Sequence, residues 1–251
     1  MILTIARREL RILFASPLAW VVLGVMQLIM AWFFLGNLEL YMQVAPRLAA
    51  LEAERGVTDF VVAPTFGTAG VVMLFALPLL TMRSVAEERR NGTLTLLLAA
   101  PVSAAQIALG KFAGLFGLLL AMALLIGLMP LSLALGTQLD IGQLGGGFAA
   151  LLLLLGAFGA IGLFMSCLTN QPVVAAFTTF GVSLLLWVLD IASRARGDDE
   201  GGVLGYLSMM RHYERLLEGA FDTADGAYFL IVIATFIALS AWRLELDRLE
   251  R

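Results

Sequence analysis

The chain has 251 residues, 61% of them hydrophobic and only 14% charged, with a net charge of −3 and a mean hydropathy of +0.94. Ordinary globular domains carry roughly 45–50% apolar and about 25% charged residues, so there is too little polar surface here for a water-soluble body, and a soluble enzyme is excluded. Disorder is excluded by the same apolar content, and the small net charge gives no basis for binding nucleic acid.

Residues 1–16 read as an interfacial helix. Ile2, Ile5, Ile12 and Leu13 can share a face while Arg7, Arg8 and Arg11 stay in water. An ordinary positive flank is the equal alternative. The apolar run that follows is longer than a signal-peptide core and no small-x-small cleavage site comes after it, so it is retained as a membrane helix. Six stretches approach the roughly 20 apolar residues a spanning helix needs: about 17–36, 62–82, 112–135, 148–168, 173–189 and 227–242. Between the first two, 46–55 reads as a short helix opened by Pro46 and stopped by Gly56.

Small residues recur at helical spacing at Gly110, Gly114, Gly117 and Ala121 of the third span and at Gly156, Gly159 and Ala160 of the fourth. Such stripes let backbones approach closely, either inside one subunit or between subunits. Cys167, the lone cysteine, reads as a packing residue, and Pro172 as the first turn of span five. Thr179, Ser183 and Trp187 fall on one side of that span. They read either as a translocation path or as hydroxyls bonding back to their own helix with an interfacial tryptophan. Asp190 and Arg194 have the spacing of a helix-end pair. The external segment 190–226 is amphipathic over 208–219, where Met209, Met210, Tyr213, Leu216 and Leu217 can lie on the membrane or cap an exit. His212 in it reads as a surface residue.

The flanking charges set the orientation. With both termini on one side, that side carries ten Lys and Arg against six Asp and Glu, and the other side six against thirteen. Both termini and the 83–111 loop are therefore expected in the cytoplasm. No Asp, Glu, Lys, Arg or His lies within the six spans, which argues against a proton- or sodium-coupled carrier. The chain also has no G-x-x-x-x-G-K-[ST], H-E-x-x-H or G-x-S-x-G run, so any energy from nucleotide must come from a partner.

The segment 83–111 holds more design than a connector needs. Ser84 with Glu87 reads as a capping box, Gly92 as a helix stop, Thr93 as the cap of a second short helix ended by Pro101, and Ser103 with Gln106 as another capping box. Lys111 then snorkels at the interface. Leu94, Leu96, Leu97 and Leu98 need a cover beside the charges at 87–90. From the residues alone, a docking surface and a self-packed elbow stand even.

The run Leu77-Pro-Leu-Leu-Thr-Met-Arg-Ser-Val-Ala-Glu-Glu-Arg-Arg-Asn-Gly-Thr-Leu-Thr-Leu-Leu-Leu-Ala-Ala-Pro-Val-Ser103, followed by Gln106-Ile-Ala-Leu-Gly-Lys111, resembles the permeases of ABC-2 type exporters, closest to the gliding-motility and copper-enzyme-maturation branch. The external run from Leu207 to Asp222 is similar to the loop before that branch's last span. The resemblance covers nearly the whole chain; Thr95 departs from it, standing where the family commonly has Glu. It implies an all-α protein of six transmembrane helices in a bacterial-type inner membrane, with a coupling helix after helix two. Glu87, Glu88, Arg89, Arg90, Gly92, Thr93 and Pro101 become the candidates for contact with a separate ATPase dimer, which would hold the ATP and magnesium. No cofactor or metal is expected on this chain itself. A second permease chain, membrane lipid and an extracytoplasmic accessory subunit are the other implied partners. The alternatives are a gradient-driven carrier or channel and a membrane assembly factor that transports nothing.

Overall fold

The computed structural model describes residues 1–50, 56–137, 139–195, 203–219 and 222–249. Among these residues every regular element is helical: α1 (Ile2–Ala15), α2 (Pro17–Ala50), a π-helical turn (Thr58–Val62) leading into α3 (Ala63–Thr81), α4 (Ala86–Arg90), α5 (Leu94–Ala99), α6 (Ala104–Ser132), α7 (Ile141–Leu168), α8 (Pro172–Ala195), α9 (Val203–Leu207), α10 (Met209–Leu217) and α11 (Thr223–Leu249). Six of them, α2, α3, α6, α7, α8 and α11, are long and apolar enough to cross a membrane. Helices satisfy their own backbone groups where no water can. The protein is an all-α, multi-pass integral membrane protein.

Most of the spanning helices run beyond their apolar stretches, α2 and α11 among them. α2 continues through Pro46 to Ala50, correcting the separate helix expected over 46–55, whose residues 51–55 lie outside those described. Pro46 gives up one N–H bond, tolerable beyond the apolar stretch where water can reach the freed carbonyl. At 34 residues α2 is about 51 Å long, against a hydrocarbon slab of roughly 30 Å. α11 likewise runs past both ends of its apolar stretch.

α7 sits at the centre. Of its most apolar stretch 67% is buried, against 22% for α11 at the periphery. Its small residues make this possible: a Cβ on Gly156 would meet Ile233 of α11, one on Gly159 would meet Leu119 of α6, and one on Gly162 would lie 2.5 Å from the Thr81 Cβ of α3. The stripe on α6 has one occupant, α1. Added Cβ atoms would stand 2.7 Å from Ile5 at Gly110, 2.6 Å from the Glu9 Cβ at Gly114 and 2.7 Å from Leu10 at Gly117. Both stripes pack inside one subunit. The face that α1 turns to α6 is thus Ile5, Ala6, Glu9 and Leu10, while Ile12 is exposed. Gly162→Ala is expected to lower the thermal midpoint, with overpacking costing about 1–3 kcal/mol. Thr81→Gly in the same chain should recover much of it, as read by thermal unfolding in detergent.

At the end opposite the α4–α5 elbow, α10 inserts among α3, α7 and α8. Ser208 caps it by accepting from the Arg211 N–H, and Met209, His212, Tyr213, Leu216 and Leu217 are buried. The Tyr213 hydroxyl donates to the Phe66 carbonyl at 2.6 Å, and burial pushes its pKa up. His212 is therefore not a surface residue: the helical period places it on the inserted face. Its Nδ1 meets Asp225 Oδ1 at 2.5 Å, its Nε2 meets the Tyr206 carbonyl at 2.8 Å, and its ring stacks on Tyr228 at 4.1 Å. Asp190 is buried as well; the side chain of Arg194, its expected partner, lies outside the described residues.

Candidate functional site

The elbow between α3 and α6 is a folded unit whose first turn is capped from a distant helix. The N–H groups of Val85 and Ala86 donate to Ser166 Oγ of α7 at 3.0 and 2.9 Å, and Ser166 Oγ donates to the Met82 carbonyl at 3.1 Å. The expected Ser84–Glu87 capping box does not form, because the hydroxyl of α7 takes its place and Val85 occupies the N-cap position. Gly92 ends α4 in the left-handed region at φ +72°, where a Cβ is costly. Thr93 does stand at the N-cap of α5, but its hydroxyl turns back to the Glu88 carbonyl at 3.3 Å. Pro101 follows the end of α5. The Ser103–Gln106 capping box forms with both of its hydrogen bonds, each 3.2 Å.

Apolar packing fixes the elbow from below. Leu94 and Leu98 are buried in a small core with Val85, Ile107, Leu163 and Cys167. Of the four leucines that needed cover, only Leu96 stays exposed, at 76%. Cys167 is a fully buried packing residue.

The charges of the elbow divide into two sets. Glu88 and Arg89 point inward. The Lys111 ammonium, 2% exposed, donates to the Ser84 carbonyl and pairs with Glu9 of α1 and Glu88 of α4, all three at 2.8 Å. Two of its N–H donors are taken by hydrogen bonds to Glu9 and Ser84 and its charge by a third contact, the Glu88 carboxylate, so it is a buried tie and not the snorkelling residue expected. Arg89 donates to the Cys167 carbonyl at 2.7 Å and forms an ion pair with Asp247 at the end of α11. Arg243 joins the same carboxylate at 3.2 Å. Three cations face three carboxylates, and the network is neutral. Glu87 and Arg90 point outward, in loose pairs of 3.8 and 3.9 Å that include Arg83. Such exposed pairs contribute about 0–1 kcal/mol.

Sequence reasoning picked out the elbow and missed what holds it: Glu9, Ser166, Arg243 and Asp247. Glu9 carried a readable signal, since it is a carboxylate on the apolar face of an amphipathic helix and requires a counter-charge once buried.

The other candidate set lies in the interior of the subunit. Thr179 is fully buried and its hydroxyl donates to the Ala175 carbonyl at 2.6 Å. Ser183 is buried without a hydrogen-bond partner among the described residues. The Trp187 ring packs between Phe158 and Tyr213, with centroids 6.2 and 6.1 Å away. The outer face of α8 is formed instead by residues such as Val173, Phe177 and Leu185.

Six apolar helices with the glycine-lined α7 at their centre, and a charged, folded elbow between the second and third, define a polytopic membrane protein. The comparison with known families agrees. Residues 3–247 match the family described as ABC-2 family transporter protein, and the chain belongs to it. It is an ABC-2 type permease, a membrane subunit for transport. No curated protein matches the sequence.

Proposed function

We propose that the chain is the membrane-spanning half of an ATP-driven exporter, seated through its elbow on a separate cytoplasmic ATPase dimer that binds the ATP and magnesium. The observation that carries this reading is the division of the elbow's charges. Glu88 and Arg89 are consumed internally, which leaves Glu87, Arg90, Thr93 and the exposed Leu96, around the Gly92 turn, as the surface for a partner. α1, the elbow and the end of α11 meet at one end of the bundle, and the excess of Lys and Arg on that end favours the cytoplasmic side of an inner membrane. A second permease chain completes the path. The exposed apolar face built by Val21, Val25, Val71, Phe75 and Phe177 of α2, α3 and α8 is the surface for it, with Thr179, Ser183 and Trp187 one layer behind.

Purification of the tagged chain from native membranes in mild detergent tests the reading. The expected result is a P-loop ATPase in equal proportion with the permease. The double change Glu87→Arg and Arg90→Glu is expected to abolish its recovery while leaving the thermal midpoint within error, because exposed pairs contribute so little. Absence of any ATPase across several lipids and nucleotide states overturns the reading.

A further inference from the structure

The elbow and the inserted helix α10 lie at opposite ends of the bundle, and two helices join them. α3 runs from the elbow to Phe66, whose carbonyl holds the Tyr213 hydroxyl of α10. α11 is not adjacent in sequence to the elbow, yet both of its ends are fastened by buried carboxylates. Asp247 takes Arg89 of the elbow together with Arg243. Asp225 takes His212 of α10 at 2.5 Å, with Arg215 at 4.0 Å. One turn on, the Tyr228 hydroxyl donates to the Leu207 carbonyl of α9 at 2.7 Å. Between these fastenings α11 is the least buried of the spanning helices. Its Ser240 donates back to the Phe236 carbonyl of the same helix at 2.8 Å and lies in hydrogen-bond contact with Cys167 of α7.

We propose that α11 is a rod through which the elbow and α10 shift together, with Asp247 and Asp225 as its positioning residues. α3, the elbow, α11 and α10 form a closed loop of rigid parts. A helix is stiff along its axis, and shifts of 1–2 Å between packed helices are the usual scale of such transitions. A tilt of the elbow slides α11 along α7 and α6, the helices it packs against. α10 bridges α3 and α11 at the other end and must follow. The inference deepens the proposed function, since it supplies a route from an ATPase-driven elbow to the far side.

Coupling between two ends is reciprocal, so loosening the far end must be felt at the elbow. The chain carries its own probe there: Cys167, its only cysteine, is fully buried beneath the elbow and gives its carbonyl to Arg89. The experiment is the rate of N-ethylmaleimide labelling of Cys167 in the full-length chain in lipid nanodiscs. Asp247→Asn opens the near fastening. Asp225→Asn opens the far one, 22 residues away along α11 or about 33 Å. Met30→Ala removes a fully buried side chain of α2 and serves as the control for general destabilisation. Both Asp variants are expected to label at least about fivefold faster than Met30→Ala once compared at equal distance below their thermal midpoints, the lower end of ordinary coupling energies. Asp225→Asn labelling at the control rate overturns the proposal, whatever Asp247→Asn does. If Asp225→Asn does not fold, Tyr228→Phe, which deletes only the hydroxyl held by Leu207, is judged by the same criterion. No ATPase is present in this experiment, so its failure leaves the pull-down result standing, and the converse holds equally.

Discussion

Replacing Lys111 by methionine will destabilise the protein more than any other single change at the elbow. The substitution keeps most of the side chain's length and removes the charge, leaving the buried Glu9 and part-buried Glu88 carboxylates with no cation between them. Breaking a buried ion pair from one side typically costs about 3–5 kcal/mol, and here one ammonium serves two carboxylates and the Ser84 carbonyl. The expected reading is a large fall in thermal midpoint and yield. The triple variant Lys111→Met with Glu9→Gln and Glu88→Gln should recover most of it, because buried charges replaced together are often neutral in cost. If Lys111→Met alone unfolds at the wild-type temperature, the ammonium is not what ties α1, α4 and α6 together.

Gly114→Ala will detach α1. The added methyl would stand 2.6 Å from the Glu9 Cβ and 2.8 Å from the Ala6 carbonyl, and a backbone oxygen cannot step aside as a side-chain tip can. Overpacking of this kind costs about 1–3 kcal/mol, and Glu9 leaves Lys111 as α1 moves out. The measurement is trypsin cleavage after the exposed Arg7, Arg8 and Arg11 of α1, which is expected to become rapid. Gly24→Ala is the matched control, for a Cβ there has nothing within 4 Å. It should leave both cleavage and thermal midpoint as in the wild type.

The sequence made the spans legible because lipid tolerates few solutions. Long apolar runs must become helices, and the six expected ones stand in the order expected. The Gly92 stop and the Ser103–Gln106 box were equally visible, since each depends on residues within one or two turns. What could not be read was the set of partners brought from afar. Ser84 fits a capping box with Glu87 as well as Ser103 does with Gln106, yet Ser166, some 80 residues on, caps the turn instead through the Val85 and Ala86 N–H groups. Lys111 looks like any interfacial lysine until Glu9 and Glu88 are placed against it. His212 looks like a loop residue until α10 is seen to insert. Among the candidate coupling residues, type and spacing could not tell Glu87 from Glu88, or Arg90 from Arg89. Only the direction in which the elbow folds separates the inward pair from the outward one.

The cap supplied by Ser166 also sets a timetable for manufacture. α4 leaves the ribosome 81 residues before the hydroxyl that completes its first turn. At about 5–20 residues per second the nascent elbow therefore waits roughly 4–16 s with two amide hydrogens open to water, until α7 has entered the membrane. Arg89 waits longer still, for Asp247 lies 158 residues on. The elbow is thus synthesised early and finished only when α11 has been made. An assembling partner meets the completed surface only on a chain whose every span is already in place.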